Sequence, residues 1–282
     1  MRIMLLGASG FLGTALQKVM HADASTEVVL VSRSPESLMN LGTPVIQADD
    51  VLSNLTTTDW VVNCAVDYGR TGSLGAFVTN VEWPISIMRR ASHLGASFLN
   101  IGTFYEKFPL ATYTPLRTYS LTKSIVDAVG PEIYVGSEAG KFFSLRLEHL
   151  YGPGDSKEKF VPWLLHQMQS RVSEINLTSC LQKRDFIFVD DAARMIFSFM
   201  AHVQSVDTSR SLEIGTSVSI PLRDFVHTAA KIAGYEGGLS FGSLEAPPGE
   251  ITDSSADPYL GECLGMKFES LESGLSRTWA AV

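Results

Sequence analysis

The sequence predicts an α/β protein, a doubly wound parallel sheet followed by a smaller C-terminal lobe. Three observations predict it. Short apolar runs at Arg2–Leu6, Val28–Val31, Pro44–Gln47, Trp60–Cys64 and Ser97–Ile101 alternate with stretches of helical periodicity. The first run passes without a gap into Gly7-Ala8-Ser9-Gly10-Phe11-Leu12-Gly13 and then into the helical register of Thr14–Met20. Glycine and proline punctuation at Gly152, Pro153, Gly154 and Pro162 marks a change of organisation after the last of the alternating elements. The expected division is 1–151 for a dinucleotide-binding domain, with residues 186–204 returning to its sheet, and 152–282 for most of the second lobe.

Bulk properties narrow the class. A chain of 282 residues with 45% apolar content can bury a sizeable core. Its net charge of -8 argues against a partner bound through nucleic-acid phosphates. Cys64, Cys180 and Cys263 are widely spaced and odd in number, with no zinc-ligand pattern and no disulfide framework, which fits a reducing cytoplasm and predicts no metal. The apolar start breaks at Gly7 before it reaches the length of a signal peptide, and no run is long enough to span a membrane.

Strand, glycine turn and helix are the parts of a dinucleotide site. Gly7 permits the tight turn, Gly10 lets a pyrophosphate approach the backbone, and Gly13 lets helix and strand pack closely. The first helix presents its N-terminus to the phosphates. At the end of the second strand, Ser32-Arg33 offers a hydroxyl and a guanidinium in place of the carboxylate that would bind the ribose diol of NAD, so the coenzyme expected is NADP. Asp49, after the third strand, is open to two readings, a contact to the adenine amino group or a solvated loop residue. Asn63-Cys64-Ala65 ends the fourth strand, where small side chains at Cys64 and Ala65 let the chain pass beneath the nicotinamide half.

Tyr119 and Lys123 lie one helical turn apart in Thr118-Tyr119-Ser120-Leu121-Thr122-Lys123, on a helix expected to open near Pro115. A phenol of reference pKa about 10 exchanges protons near neutrality only when a cation stabilises the phenolate, and Lys123 is placed to be that cation. Thr103, just past the fifth strand, offers a hydroxyl to the same carbonyl oxygen, or is simply a loop or capping residue.

With Gly7, Gly10, Gly13, Thr103, Tyr119 and Lys123 in this order, the chain resembles an extended short-chain dehydrogenase/reductase, a family built on the Rossmann sheet. The stretches Phe143 to Asp155, Lys159 to Pro162, and Gln182 to Asp191, with Tyr68-Gly69-Arg70 and Ser254-Ser255-Ala256-Asp257, resemble its nucleotide-sugar branch, within it the bacterial CDP-abequose and CDP-paratose synthases. The resemblance implies that Tyr119, Lys123 and Thr103 are catalytic and that Gly7, Ser9, Gly10, Phe11, Leu12, Gly13, Ser32, Arg33, Asp49, Cys64, Ala65, Lys123 and the backbone at Leu147 hold NADP. It places Tyr68, His149, Lys159, Phe160 and Arg184 against the sugar nucleotide, Arg184 at the diphosphate. The chain departs from the pattern at Pro247, where relatives often carry a second diphosphate-binding arginine, and at Ile101, where many carry the catalytic hydroxyl. Arg223 and Lys157 are candidates to replace the missing arginine.

The activity implied is NADPH-dependent reduction of a nucleoside diphosphate 4-keto-6-deoxyhexose, as a homodimer joined through helices at Asn80–Leu94 and Pro115–Val129. An epimerase that keeps NAD bound is the competing enzyme. A non-catalytic NADP sensor is a third reading, which would not require the Tyr119 and Lys123 pair.

Overall fold

The computed structural model describes residues 1–38, 42–56, 58–69, 73–108 and 116–282. Arg70 and Pro115 lie outside the described residues. Two compact units are present. The first takes in the described part of Met1–Arg146 together with Asp207–Leu212; the second takes in Leu147–Val206 and Glu213–Val282. The division therefore falls at Arg146/Leu147, not at Tyr151/Gly152. Residues 186–204 cluster with the second unit, and the segment that returns to the first is 207–212. The sequence places the boundary at its first strong punctuation, Gly152, whereas the contacts divide within an unpunctuated extended stretch.

In the first unit, six strands, β1 (Arg2–Leu6), β2 (Glu27–Ser32), β3 (Val45–Gln47), β4 (Trp60–Asn63), β5 (Ser97–Thr103) and β6 (Phe142–Leu147), form a sheet completed by Leu212–Ile214. The strand order is Leu212–Ile214, β6, β5, β4, β1, β2, β3. β1 pairs in parallel with both β2 and β4, while β2–β3 and β4–β5 are also parallel. The chain thus winds outward in both directions from β1, and the carboxyl ends of β1 and β4 flank the crevice where the strand order reverses. β1 reads as an unbroken apolar run because both sheet faces are covered: Ile3, Met4, Leu5 and Leu6 are all buried. Val61, Ile87, Phe98 and Val126 belong to one apolar cluster on this sheet. Burying side chains of this size contributes about 1.5 to 3 kcal/mol each.

Two helices position the site. Arg117–Ile133 turns Tyr119, Thr122, Lys123 and Val126 inward at helical spacing. The helical run Ser73–His93 is interrupted by a π turn at Val78–Glu82, whose Asn80 is buried. Asn80 donates to the Asp67 carbonyl at 2.7 Å and to Thr122 Oγ1 at 3.0 Å, and accepts the Asp67 N–H at 2.8 Å. One side chain thereby ties the segment carrying Tyr68 to the helix carrying Tyr119.

In the second unit, Lys183–Phe188 is the central strand, flanked by Ser219–Pro221 and Asp253–Ser254 and paired with His149–Tyr151. Gly238–Phe241 pairs in parallel with Glu174–Leu177. Tyr151, Leu164, Phe225 and Leu275 form its apolar core. Helices at Phe160–Gln169, Val189–His202, Leu222–Ala233 and Leu271–Trp279 complete it. Among the described residues no helix is long and apolar enough to cross a membrane.

Candidate active site

The glycine turn has the geometry that its composition predicts. Gly7 adopts φ +75°, and a Cβ there would stand 2.7 Å from the Ala65 nitrogen, inside the backbone that leaves β4. A Cβ on Gly13 would stand 2.3 Å from the Gly7 carbonyl oxygen, so only glycine lets the helix Phe11–Ala22 approach β1 this closely. Gln17 reaches back from that helix and donates to the Ala8 carbonyl at 2.7 Å. Gly10 caps the helix with no side-chain acceptor, which leaves the first-turn N–H groups without a side-chain cap. Ser9 and Gly10 are exposed, whereas Leu12 is buried in the core and Phe11 is half-buried. Leu12 therefore fits a cofactor role only through its backbone.

Ser32 is buried at the end of β2, its hydroxyl 2.8 Å from that of Ser9 and accepting the Ser34 N–H at 3.0 Å. Arg33 is exposed; its carbonyl accepts from Gln47, and its guanidinium makes no ion pair among the described residues. Asp49 is exposed in the turn Ala48–Asp50 beyond β3. These residues suit a dinucleotide: a cradle that any Cβ would fill, an uncapped helix start, and a cation at the strand end.

Cys64 and Ala65 lead out of β4, with the Cys64 N–H on the Leu6 carbonyl at 3.0 Å. Burial pushes the Cys64 thiol up to about 12, partly offset by Lys123, so it stays a neutral, unreactive group.

The Tyr119 phenol is 9% exposed, and burial pushes its pKa well above the usual value, with Tyr68, Glu106 and Tyr105 adding to the rise. The nearby Thr103 side chain opposes that rise. The Thr103 hydroxyl accepts the Tyr105 N–H at 3.5 Å, and Ile101 holds the position two residues earlier. Tyr68 packs on Tyr119 with ring centroids 5.0 Å apart, and Tyr105 meets it edge-on at 6.4 Å.

Lys123 is 3% exposed and donates to the Ile101 carbonyl at 2.8 Å. Burial lowers its pKa, while Glu106 and Cys64 raise it. Lys123 makes no hydrogen bond to the phenol; its ammonium is anchored to β5. Residue spacing brings the pair to one helix face, but the main-chain acceptor that orients the lysine is not visible from spacing.

Glu106, Arg146 and Gly102 complete this site and are absent from the sequence-level candidates. Thr103 caps the turn Phe104–Lys107, and Glu106 closes the capping box. The T-x-x-E spacing of Thr103 and Glu106 is a legible signal for that box; nothing local points to Arg146.

The second unit holds the other candidates. Arg184 is buried, donating to the Lys183 carbonyl at 2.8 Å and to Glu250 at 3.4 Å. Gln182 also donates to Glu250, at 2.9 Å. His149 packs against Phe186 at 5.8 Å between ring centroids, and burial lowers its pKa, so the imidazole is held neutral. Glu148 beside it accepts two contacts from Ser254, at 2.9 and 2.8 Å. Lys159 pairs with Asp155 at 2.8 Å, directly before the helix that Phe160 opens. Leu147 is half-buried at the end of β6. Arg223 donates to the Ser179 carbonyl at 3.1 Å and lies over the Phe241 ring at 4.5 Å, an arrangement that commits its guanidinium locally.

Comparison with known proteins places the chain in a family. Residues 3–215 match the NAD dependent epimerase/dehydratase family. CDP-abequose synthase of Salmonella typhimurium is 27% identical over 94% of this chain and 92% of its own length. GDP-L-fucose synthase of Escherichia coli is 20% identical over 99% of this chain and 95% of its own. Among solved structures, a variant of the UDP-glucuronic acid 4-epimerase of Bacillus cereus, in complex with a fluorinated UDP-sugar and NAD, superposes with a TM-score of 0.84, covering 100% of this chain and 98% of that one at 20% identity. By its family match over most of its length, the chain belongs to the NAD dependent epimerase/dehydratase family and is an NAD(P)-dependent enzyme of the extended short-chain dehydrogenase/reductase type.

Proposed function

We propose that this protein is an NADPH-dependent reductase of the 4-keto group of a nucleoside diphosphate 4-keto-6-deoxyhexose, with CDP as the nucleotide, acting in deoxysugar biosynthesis. The observation that carries the reading is the buried Tyr119 phenol, set one turn from the buried Lys123 on one helix, in the unit that also holds the glycine cradle. Similarity over nearly the whole chain to a CDP-abequose synthase supports the choice of substrate class.

In this reading Tyr119 donates its proton to the carbonyl oxygen, Thr103 hydrogen-bonds the same oxygen, and the Lys123 charge stabilises the phenolate that forms. The dinucleotide, when bound, supplies the hydride. Gly7, Ser9, Gly10, Phe11, Leu12 and Gly13 bind its pyrophosphate region through the turn and helix start. Ser32 and Arg33 meet a 2'-phosphate, and Asp49, Cys64, Ala65 and Leu147 line the rest. Tyr68, His149, Lys159 and Phe160 serve the sugar nucleotide, and Arg184 serves its diphosphate. The exposed Leu74, Phe77, Val78 and Leu121 on the helical runs near Asn80 and Tyr119 support a homodimer through those helices.

An NAD-retaining epimerase is the second reading, favoured by the likeness to the UDP-glucuronic acid 4-epimerase. The end of β2 weighs against it, because Ser32-Arg33 suits an exchangeable NADPH. The test is a panel of CDP-, dTDP-, UDP- and GDP-4-keto sugars assayed with NADPH and NADH. Consumption of NADPH with the CDP substrate is expected; no consumption with any member overturns the proposal.

A further inference from the structure

Arg146 is the penultimate residue of β6, and each nitrogen of its guanidinium donates to a different segment of the first unit. Nε donates to Glu106 at 3.3 Å, Nη2 to Asp127 at 3.0 Å and Nη1 to the Ser211 hydroxyl at 2.8 Å. Glu106 belongs to the turn after β5, Asp127 to the helix Arg117–Ile133, and Ser211 to the returning segment 207–212.

Two of these bonds lead toward the candidate catalytic groups. The Glu106 carboxylate is buried, and its other oxygen accepts the Thr103 N–H at 3.0 Å. It lies against Gly102, where a Cβ would stand 2.9 Å from each oxygen. Asp127 follows Tyr119 and Lys123 at four-residue intervals along a single helix face. The end of β5 is therefore tied to that face twice. Lys123 donates directly to the Ile101 carbonyl at 2.8 Å, and one turn further on the link runs through Glu106, Arg146 and Asp127. A single tie would let the helix pivot about it, whereas two ties along one face fix its direction. Other restraints near Tyr119 do not replace the second tie. The N-cap Leu116 offers no side-chain cap, and Ser120 meets the Tyr105 carbonyl only at 3.5 Å, the limit of a hydrogen bond. Asn80 holds Thr122 to the segment of Asp67, not to β5.

We propose that Arg146 is a positioning residue that locks the turn carrying Thr103 to the helix carrying Tyr119 and Lys123. This rests on the reading of those three side chains as the groups that serve the carbonyl oxygen. The role calls for arginine, whose planar fork holds its donors in fixed directions; a lysine ammonium keeps the charge beside Glu106 and Asp127 and loses that geometry.

The lock is read first without substrate, by amide hydrogen exchange of the full chain. Arg146→Lys is expected to speed exchange of the Thr103 N–H about tenfold and to leave that of Leu5 in β1 unchanged. Asp127→Asn, at a partly exposed partner, is expected to act in the same direction. Unchanged exchange at Thr103 in Arg146→Lys, or an equal acceleration at Leu5, overturns the proposal. Turnover is read next, on the panel of 4-keto sugars with NADPH. Arg146→Lys is expected to lower kcat about 10- to 100-fold, with KM for NADPH held within about twofold. In a Thr103→Ala background the same substitution should cost less than about threefold, because its effect passes through the turn of Thr103. Equal factors in the two backgrounds overturn the proposal and make Arg146 a support of the fold. A parent protein with no turnover on the panel counts against the reductase reading, and the exchange comparison still decides the lock.

Discussion

The Arg184 guanidinium lies 3.4 Å from the Glu250 carboxylate, so the arginine expected to meet a diphosphate is already countered by an anion of its own unit. Glu250 also accepts from Gln182, which fixes it in place. A diphosphate reaching Arg184 therefore has to compete with a carboxylate, in a chain that carries Pro247 in place of the second arginine.

Removing that competitor should tighten binding. Glu250→Gln is expected to raise the affinity for CDP about 3- to 10-fold, and Arg184→Met to lower it by roughly 10- to 150-fold, the range of a charge-assisted hydrogen bond. Calorimetric titration with CDP checks both. Unchanged binding in the pair would place the diphosphate elsewhere.

Arg33 tests the proposed coenzyme. With no carboxylate at the end of β2 and an exposed guanidinium beside buried Ser32, NADPH should bind more tightly than NADH. Arg33→Ala is expected to weaken NADPH by roughly 10- to 150-fold with little change for NADH. Fluorescence titration of both nucleotides is the measurement, and equal affinities in the unmodified protein would count against NADP.

Tyr119→Phe removes one oxygen from a site packed between Tyr68 and Tyr105, with almost no change in volume. The expected loss in turnover is about 10²- to 10⁴-fold with NADPH binding retained. Lys123→Met should slow the reaction too, and it also leaves the Ile101 carbonyl without its donor. Full activity in Tyr119→Phe would make the phenol a packing group.

Gly13→Ala tests the cradle. The added Cβ would stand 2.3 Å from the Gly7 oxygen and 2.8 Å from that of Ala8, so helix and strand must separate. Overpacking of this kind costs about 1 to 3 kcal/mol, read by thermal denaturation together with loss of dinucleotide binding. Gly75→Ala is the control, since its nearest neighbour would lie at 3.6 Å.

The sheet and the cradle are legible in the sequence because their signals are local. An apolar run, a glycine every third residue and a helix follow one another within Arg2–Ala22, and the spacing of Tyr119 and Lys123 already fixes their common face. What escapes is set by tertiary contact. Arg146 reaches Glu106 across 40 residues, and Asn80 reaches Thr122 across 42. The Ile101 carbonyl that anchors Lys123 is main chain, which no residue pattern marks. Glu250 reaches Arg184 across 66 residues, so the ion pair at the expected diphosphate arginine is likewise invisible before folding.

The central claim, net reduction of a 4-keto sugar nucleotide by an exchangeable cofactor, is tested most directly by isotope transfer. Purified protein is incubated with a CDP-4-keto-6-deoxyhexose and NADPH deuterated at the nicotinamide C4, and the product is weighed by mass spectrometry. The account predicts one deuterium at sugar C4 for each NADPH consumed, in a 4-hydroxy product. A protein that arrives with tightly held NAD and interconverts two sugar nucleotides without taking up deuterium would contradict it.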